Sequence, residues 1–234
     1  MLLVFRDWKL FRHAVRSMED EVAAARRPLT VVTAQYDRVA RFYRAIEPLF
    51  LIMPRARRRA VAALGLEPGD TVLEIGAGTG RNLPYLLDAV GPEGRVLAVD
   101  ASAGMLAEAC KLVDRRGWSN VELLQQDAAQ LRVDHRLDAV LFSLSYSVLP
   151  DPKPALARAW DRMRPGARLV VMDVGLLKSR LGRVLGPIAR LLVRLAPGDP
   201  YSNPWVDLAA CGAVDTDRFM LGLYYVCTVR KTSA

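Results

Sequence analysis

The segment Val72-Leu73-Glu74-Ile75-Gly76-Ala77-Gly78-Thr79-Gly80-Arg81-Asn82 restricts the fold of this chain more than any other stretch. An apolar run passes through three alternating glycines into a helical pattern, which predicts a strand, a tight turn and a helix. Glycine permits positive φ and close backbone approach, and a helix N-terminus presents free N–H groups to a ligand. The spacing narrows the ligand. A dinucleotide fingerprint places its glycines at positions one, three and six, whereas these fall at one, three and five, with Arg81 at six. Glu74 stands two residues before the first glycine, where a carboxylate facing the ligand would suit a cationic amino group better than a pyrophosphate.

Short apolar runs alternate with helical ones from Thr71 onward, which predicts strands near 71–75, 95–99, 121–124, 138–142, 167–173, 213–220 and 223–230. Helices are expected near 80–89, 103–116 and 153–163. This is an α/β pattern: a seven-stranded, Rossmann-like sheet with helices on both faces. Ligands of open α/β sheets bind at the carboxyl ends of the strands. Asp100 ends the second strand and is placed to accept ribose hydroxyls; Asp127 follows the third and is placed to accept an adenine amino group. With Glu74, three successive strand ends each carry an acid.

These residues resemble the successive motifs of class I S-adenosylmethionine-dependent methyltransferases. The resemblance rests on Glu74-x-Gly76-x-Gly78-x-Gly80, Val99-Asp100-Ala101-Ser102 with Met105, Gln126-Asp127-Ala128 and Arg164-Pro165-Gly166-Ala167-Arg168-Leu169, and it covers about residues 33–231. It implies S-adenosyl-L-methionine as cofactor and a mostly parallel sheet of order 3-2-1-4-5-7-6 with only the last strand antiparallel. By it, Gly76 and Gly78 contact the methionine part, Asp100 the ribose, Met105 the adenine face, and Asp127 with Ala128 the adenine edge. Tyr36, Ala77, Gly80, Asn82, Ala101 and Ser143 complete the candidate cofactor-binding set. Tyr36-Asp37-x-x-Ala40-x-x-Tyr43 and Gly80-Arg81-Asn82-Leu83 are similar to the quinone-biosynthesis C-methyltransferases and to bacterial phosphatidylethanolamine N-methyltransferases. Tyr36 is thereby expected over the cofactor on a helical lid, and Tyr36 and Tyr146 are the candidate catalytic residues, with Tyr43 as a further wall of the acceptor pocket.

A chain of 234 residues, half of it apolar, suits one catalytic domain with an extension. The division expected is an amphipathic extension over 1–32 and a catalytic domain over 33–234, itself a helical lid (33–66) and a Rossmann-like core (67–234). Val4, Trp8, Phe11, Val15, Met18 and Val22 share one face of a helix over 1–27, with Arg6, Lys9, Arg12, His13 and Arg16 in its first half. A basic, leucine-rich segment over 176–195 has the same character. Together with a net charge of +8, these two segments point to an anionic membrane surface. The expected setting is cytoplasmic, peripheral to the inner face of the membrane, since no secretory signal or run of about 20 apolar residues is present.

Three scattered cysteines and two distant histidines offer neither a disulfide framework nor a metal site. A nucleic-acid methyltransferase would be expected to carry a base-reading element or an amino-methylation motif after the fourth strand. That strand instead leads into Ser143-Leu144-Ser145-Tyr146-Ser147, and Asn203-Pro204-Trp205 reads as a turn. A non-catalytic cofactor-binding module would be expected to lose an acid or a glycine, and none is missing. The reading favoured is methylation of a small molecule or lipid, with a phospholipid amino headgroup ahead of a quinone or other soluble acceptor.

Overall fold

The computed structural model describes residues 28–46, 54–175 and 202–232. Two helices, α1 (Leu29–Ile46) and α2 (Pro54–Leu64), precede β1 (Thr71–Ile75), α3 (Leu83–Val90), β2 (Arg95–Asp100), α4 (Ala103–Arg116) and β3 (Val121–Gln125). A short 3-10 turn, Ala128–Gln130, leads to β4 (Leu137–Ser143), α5 (Pro152–Arg162), β5 (Met163–Val174), α6 (Pro204–Ala209), β6 (Val214–Phe219) and β7 (Tyr224–Arg230). The strands form one seven-stranded sheet in the order β3-β2-β1-β4-β5-β7-β6. β7 runs antiparallel to both of its neighbours, and the remaining pairs are parallel.

Side-chain alternation sorts the core into two layers, one on each face of the sheet. Leu73, Ile75, Val99, Phe142, Leu169 and Val171 face the layer closed by α5 and by Leu208 of α6. Val72, Ala98, Leu141, Val170 and Met172 face the opposite layer, closed by Ala56, Ala60 and Leu64 of α2 and by Leu83, Leu86 and Val90 of α3. Glu74 has the parity of Val72 and is therefore turned toward α2 and α3. It is fully buried there.

Several boundaries differ from the sequence expectation. The helical region expected over 33–66 holds α1 and α2, and Pro54 opens the second because proline is tolerated in a helix's first turn. α1 begins at Leu29, just after Pro28, so residues 29–32 are part of the same helix as Tyr36. α3 begins at Leu83, not at residue 80, because Gly78 and Gly80 hold positive φ and keep the turn non-helical. The amphipathic segments over 1–27 and 176–195 lie outside the described residues. Among the described residues no helix is long and apolar enough to cross a membrane.

Candidate cofactor and acceptor site

The carboxyl ends of β1 and β2 define the site. Gly76 N and Ala77 N both donate to Val99 O, at 2.8 and 3.0 Å, which ties the glycine turn to the next strand. Gly78 N donates to Asp100 Oδ2 at 2.7 Å, and Ser102 N donates to Oδ1 at 2.9 Å. Burial raises the pKa of the Asp100 carboxyl above the usual range, and these N–H groups oppose the shift. Each oxygen keeps a lone pair, so a hydrogen-bonded Asp100 can still receive two hydroxyls.

An open cleft lies along this edge. Gly76, Gly78, Asp100, Ala101, Met105, Gln126 and Ala128 line one part of it. Leu29, Val32, Tyr36 and Tyr43 of α1 face them, together with Leu144, Ser145, Val148 and Leu149 of the loop after β4. Leu144 holds φ +60°, a conformation unfavourable for an L side chain, and its N–H donates to Met172 O at 2.7 Å. Strain of this kind is retained where surrounding contacts over-determine it.

α1 is fastened over the cleft by Asp37. Its Oδ1 accepts from Ser102 Oγ at 2.5 Å and from Gly104 N at 2.9 Å, while Ser102 Oγ caps α4 by accepting from Met105 N. Tyr36, one residue away, reaches into the cleft with its ring centroid 6.1 Å from that of Tyr43. Burial, then the neighbouring Tyr43, Asp100 and Asp173, push the Tyr36 phenol well above its ordinary pKa. The motif Tyr36-Asp37 thus supplies both a wall and a fastening, although the bond from Asp37 to a residue 65 positions away carries no sequence signal.

The remaining candidates fall outside the described lining of the cleft. Glu74 is not among the described lining residues: strand parity puts it beneath the glycine turn that borders the cleft, where Asn82 Nδ2 donates to its Oε1 at 2.5 Å. Asn82 and Gly80 likewise support the turn from below; a Cβ on Gly80 would lie 2.8 Å from Leu83 Cδ1. Ala77 is packed in the layer shared with α2 and α3. Ser143 has the parity of Leu141 and is buried on that face, with no hydrogen-bond partner for its Oγ. Asp127 caps the 3-10 turn by accepting from Ala129 N at 2.9 Å, and its neighbours Gln126 and Ala128 line the cleft in its place.

Tyr146 is likewise absent from the described lining of the cleft. It is buried in the opposite layer, edge-on to Phe142 at 5.3 Å, with its hydroxyl donating to Asp207 Oδ2 at 2.9 Å. Burial and Asp207 raise its pKa. Tyr146→Phe is expected to lower stability by about 1–3 kcal/mol, the value of a hydrogen bond to a charged group, and to leave cofactor affinity unchanged. Denaturant titration beside calorimetry checks both, and a loss of affinity would return Tyr146 to the site. Asn203-Pro204-Trp205 opens α6, where Trp205 packs edge-on against Tyr225 at 5.5 Å.

Residues 72–166 match the model of the family described as a methyltransferase domain. Over these residues the chain is similar to the class I methyltransferase domain. Demethylmenaquinone methyltransferase of Renibacterium salmoninarum is 34% identical over 145 residues, 61% of this chain and 58% of that protein. Arsenite methyltransferase of Halobacterium salinarum is 30% identical over 117 residues, 50% of this chain and 29% of that protein. The chain therefore spans less than two thirds of the length of either relative. Among solved structures, a putative methyltransferase in complex with the Trm112 activator from Haloferax volcanii matches with a TM-score of 0.70 at 16% identity, covering 87% of this chain and 98% of that one. An S-adenosylmethionine-dependent methyltransferase from Aquifex aeolicus matches with a TM-score of 0.57 at 24% identity, covering 74% and 87%. At these identities the structures establish the fold.

The cofactor of this class is S-adenosylmethionine, and the residues of the cleft fit it. A Cβ on Gly78 would meet nothing within 4 Å, so this glycine borders open space where a ligand backbone can approach. Ala101, Met105 and Ala128 provide apolar surface for a purine, and Asp100 provides acceptors for a ribose. Glu74 Oε2 is buried without a partner below the turn. Among the described residues, no cluster of histidine, cysteine and carboxylate side chains could hold a metal.

Proposed function

We propose that this protein transfers the methyl group of S-adenosylmethionine to a small, largely apolar acceptor of the quinol type. The observation that carries this reading is the acceptor side of the cleft: Leu29, Val32, Leu144, Val148 and Leu149, with the rings of Tyr36 and Tyr43. Asp100 is the only carboxylate among the described lining residues, and its oxygens already serve the ribose side. A cationic headgroup would find no second acid there. The name of the demethylmenaquinone relative supports the same acceptor class.

When bound, the cofactor supplies an activated methyl on a sulfonium, and the transfer is an in-line displacement. The chain's own part is placement. Asp100 and the Gly76–Gly78 turn hold one reactant, the apolar walls hold the other, and α1 covers both and keeps water out. Tyr36 serves as a wall, not a base, because its raised pKa keeps the phenol protonated at physiological pH. We take the Glu74 carboxylate, through its unpartnered Oε2, as the counter-charge for the methionine ammonium.

Methyl transfer from labelled cofactor to quinol, phosphatidylethanolamine vesicles and RNA tests the acceptor. Label is expected in the quinol; label in the other two alone would overturn the reading. A phospholipid amino headgroup is the second reading, favoured by the Tyr36 and Tyr43 rings, whose faces suit a nitrogen gaining positive charge. Its membrane contact through 1–27 and 176–195 is tested by flotation with anionic liposomes, where binding should fall as salt rises. Tyr36→Ala is expected to reduce kcat/KM at least tenfold while shifting the thermal midpoint by no more than a few degrees. A variant that merely unfolds would make Tyr36 a core residue instead of a lid.

A further inference from the structure

Arg57 is an unusual residue to find inside this fold. It lies on α2 among Ala56, Ala60, Val61 and Leu64, and only 7% of its surface is exposed. A guanidinium is always charged and rarely buried without a partner. Arg57 Nη1 donates to Asn82 Oδ1 at 2.9 Å, and Asn82 Nδ2 donates in turn to Glu74 Oε1 at 2.5 Å. A buried cation is thus joined to a buried carboxylate through one amide.

We propose that Arg57 is a positioning residue for the cofactor: acting through Asn82, it fixes the orientation and negative charge of Glu74 for the methionine ammonium. The polarity of the chain follows from the groups. A guanidinium has only donors, so Asn82 must turn its oxygen to Arg57, and its NH2 is then committed to Glu74. The opposite amide orientation would set carbonyl against carboxylate. This arrangement occupies one oxygen of Glu74 and leaves Oε2, buried and unpartnered, for another donor. A direct Arg57–Glu74 pair would satisfy both oxygens and leave no such place.

The charge balance around Glu74 supports the same role. Burial raises the carboxyl to about 7, Asn82 and Arg57 oppose that rise, and Asp100 on β2 adds to it. Of the four arginines on α2, Arg57 is the one that acts on Glu74; Asn82 is the donor at the start of α3, and Asp100 the opposing charge. Without Arg57 the neutral acid gains ground at physiological pH, and the attraction for an ammonium is lost.

The inference rests on the reading that Glu74 serves the ammonium, so the test separates the two. Calorimetry compares S-adenosylhomocysteine, which carries the ammonium, with 5′-methylthioadenosine, which lacks the amino-acid part. Glu74→Gln is expected to weaken the first at least tenfold and the second less than twofold. Arg57→Met is expected to do the same, and Arg57→Lys to restore part of the loss. If Glu74→Gln loses the discrimination and Arg57→Met keeps it, the role of Arg57 is overturned while that of Glu74 stands. If Glu74→Gln keeps the discrimination, both fail. Equal weakening of the two ligands by Arg57→Met would make it a packing residue. Should Arg57→Met not fold, the pH profile of S-adenosylhomocysteine binding by Arg57→Lys decides. Its midpoint is expected above that of the parent, and an unmoved midpoint overturns the proposal.

Discussion

Gly76→Ala is expected to cost about 2–5 kcal/mol of stability, whereas Gly78→Ala should give a folded protein that has lost most of its affinity for S-adenosylmethionine. The two glycines share a turn and a positive φ, +75° and +57°. Their surroundings differ. A Cβ on Gly76 would lie 2.3 Å from Ser145 Cβ, and Ser145 cannot withdraw because its Oγ donates to Ile75 O at 2.6 Å. The left-handed backbone costs about 1–2 kcal/mol and overpacking about 1–3 kcal/mol more. At Gly78 only the backbone cost applies, but the new methyl would occupy the space that a ligand must enter. Denaturant titration and calorimetry on both variants would check this. A stability loss under about 1 kcal/mol for Gly76→Ala, or parental affinity for Gly78→Ala, would refute the assignment.

Glu74→Gln should move stability and binding in opposite directions. The carboxyl is fully buried, and its pKa is raised from 4.5 to about 7, chiefly by desolvation. The folded chain therefore holds a proton that the unfolded chain has released, between about pH 4.5 and 7. Stability contributed by this group is present below pH 4.5, falls through that window, and is fully lost above pH 7. Ligand-free Glu74→Gln escapes the loss and should be more stable than the parent at pH 8, by up to about 3 kcal/mol. It should also bind S-adenosylmethionine more weakly. Parental affinity for the cofactor should rise with pH through about 7, as the carboxylate forms. Thermal melts and calorimetry at pH 5 and pH 8 read both effects. If Glu74→Gln is less stable than the parent at pH 8, burial of the charged carboxylate is not the dominant cost.

The sheet was legible because its determinants are local. Period-two apolar runs and glycine punctuation placed each strand to within a few residues, while the order of the strands came from the family resemblance. β5 ran longer than expected: Gly166 N donates to Lys231 O and Met163 pairs with Leu137, so neighbouring strands extend it across Pro165. The cofactor edge was legible in part. Asp100, Gly76, Gly78, Ala101, Met105 and Ala128 line the cleft, but Asp127 and Ser143 do not.

What the sequence by itself determined was the alternation of strands and helices, the glycine turn and the acids at successive strand ends, each a property of a few consecutive residues. Only the tertiary structure decided which way those side chains turn and what they meet. Strand parity turned Glu74 beneath the glycine turn and toward α2, and packing put Tyr146 in the opposite layer against Asp207. Arg57 reaches Asn82 across 25 positions, and Asp37 reaches Ser102 across 65. Such pairs form because two helices are laid on one sheet edge, and a hydrogen bond that exists only after that packing leaves no pattern in either stretch of chain.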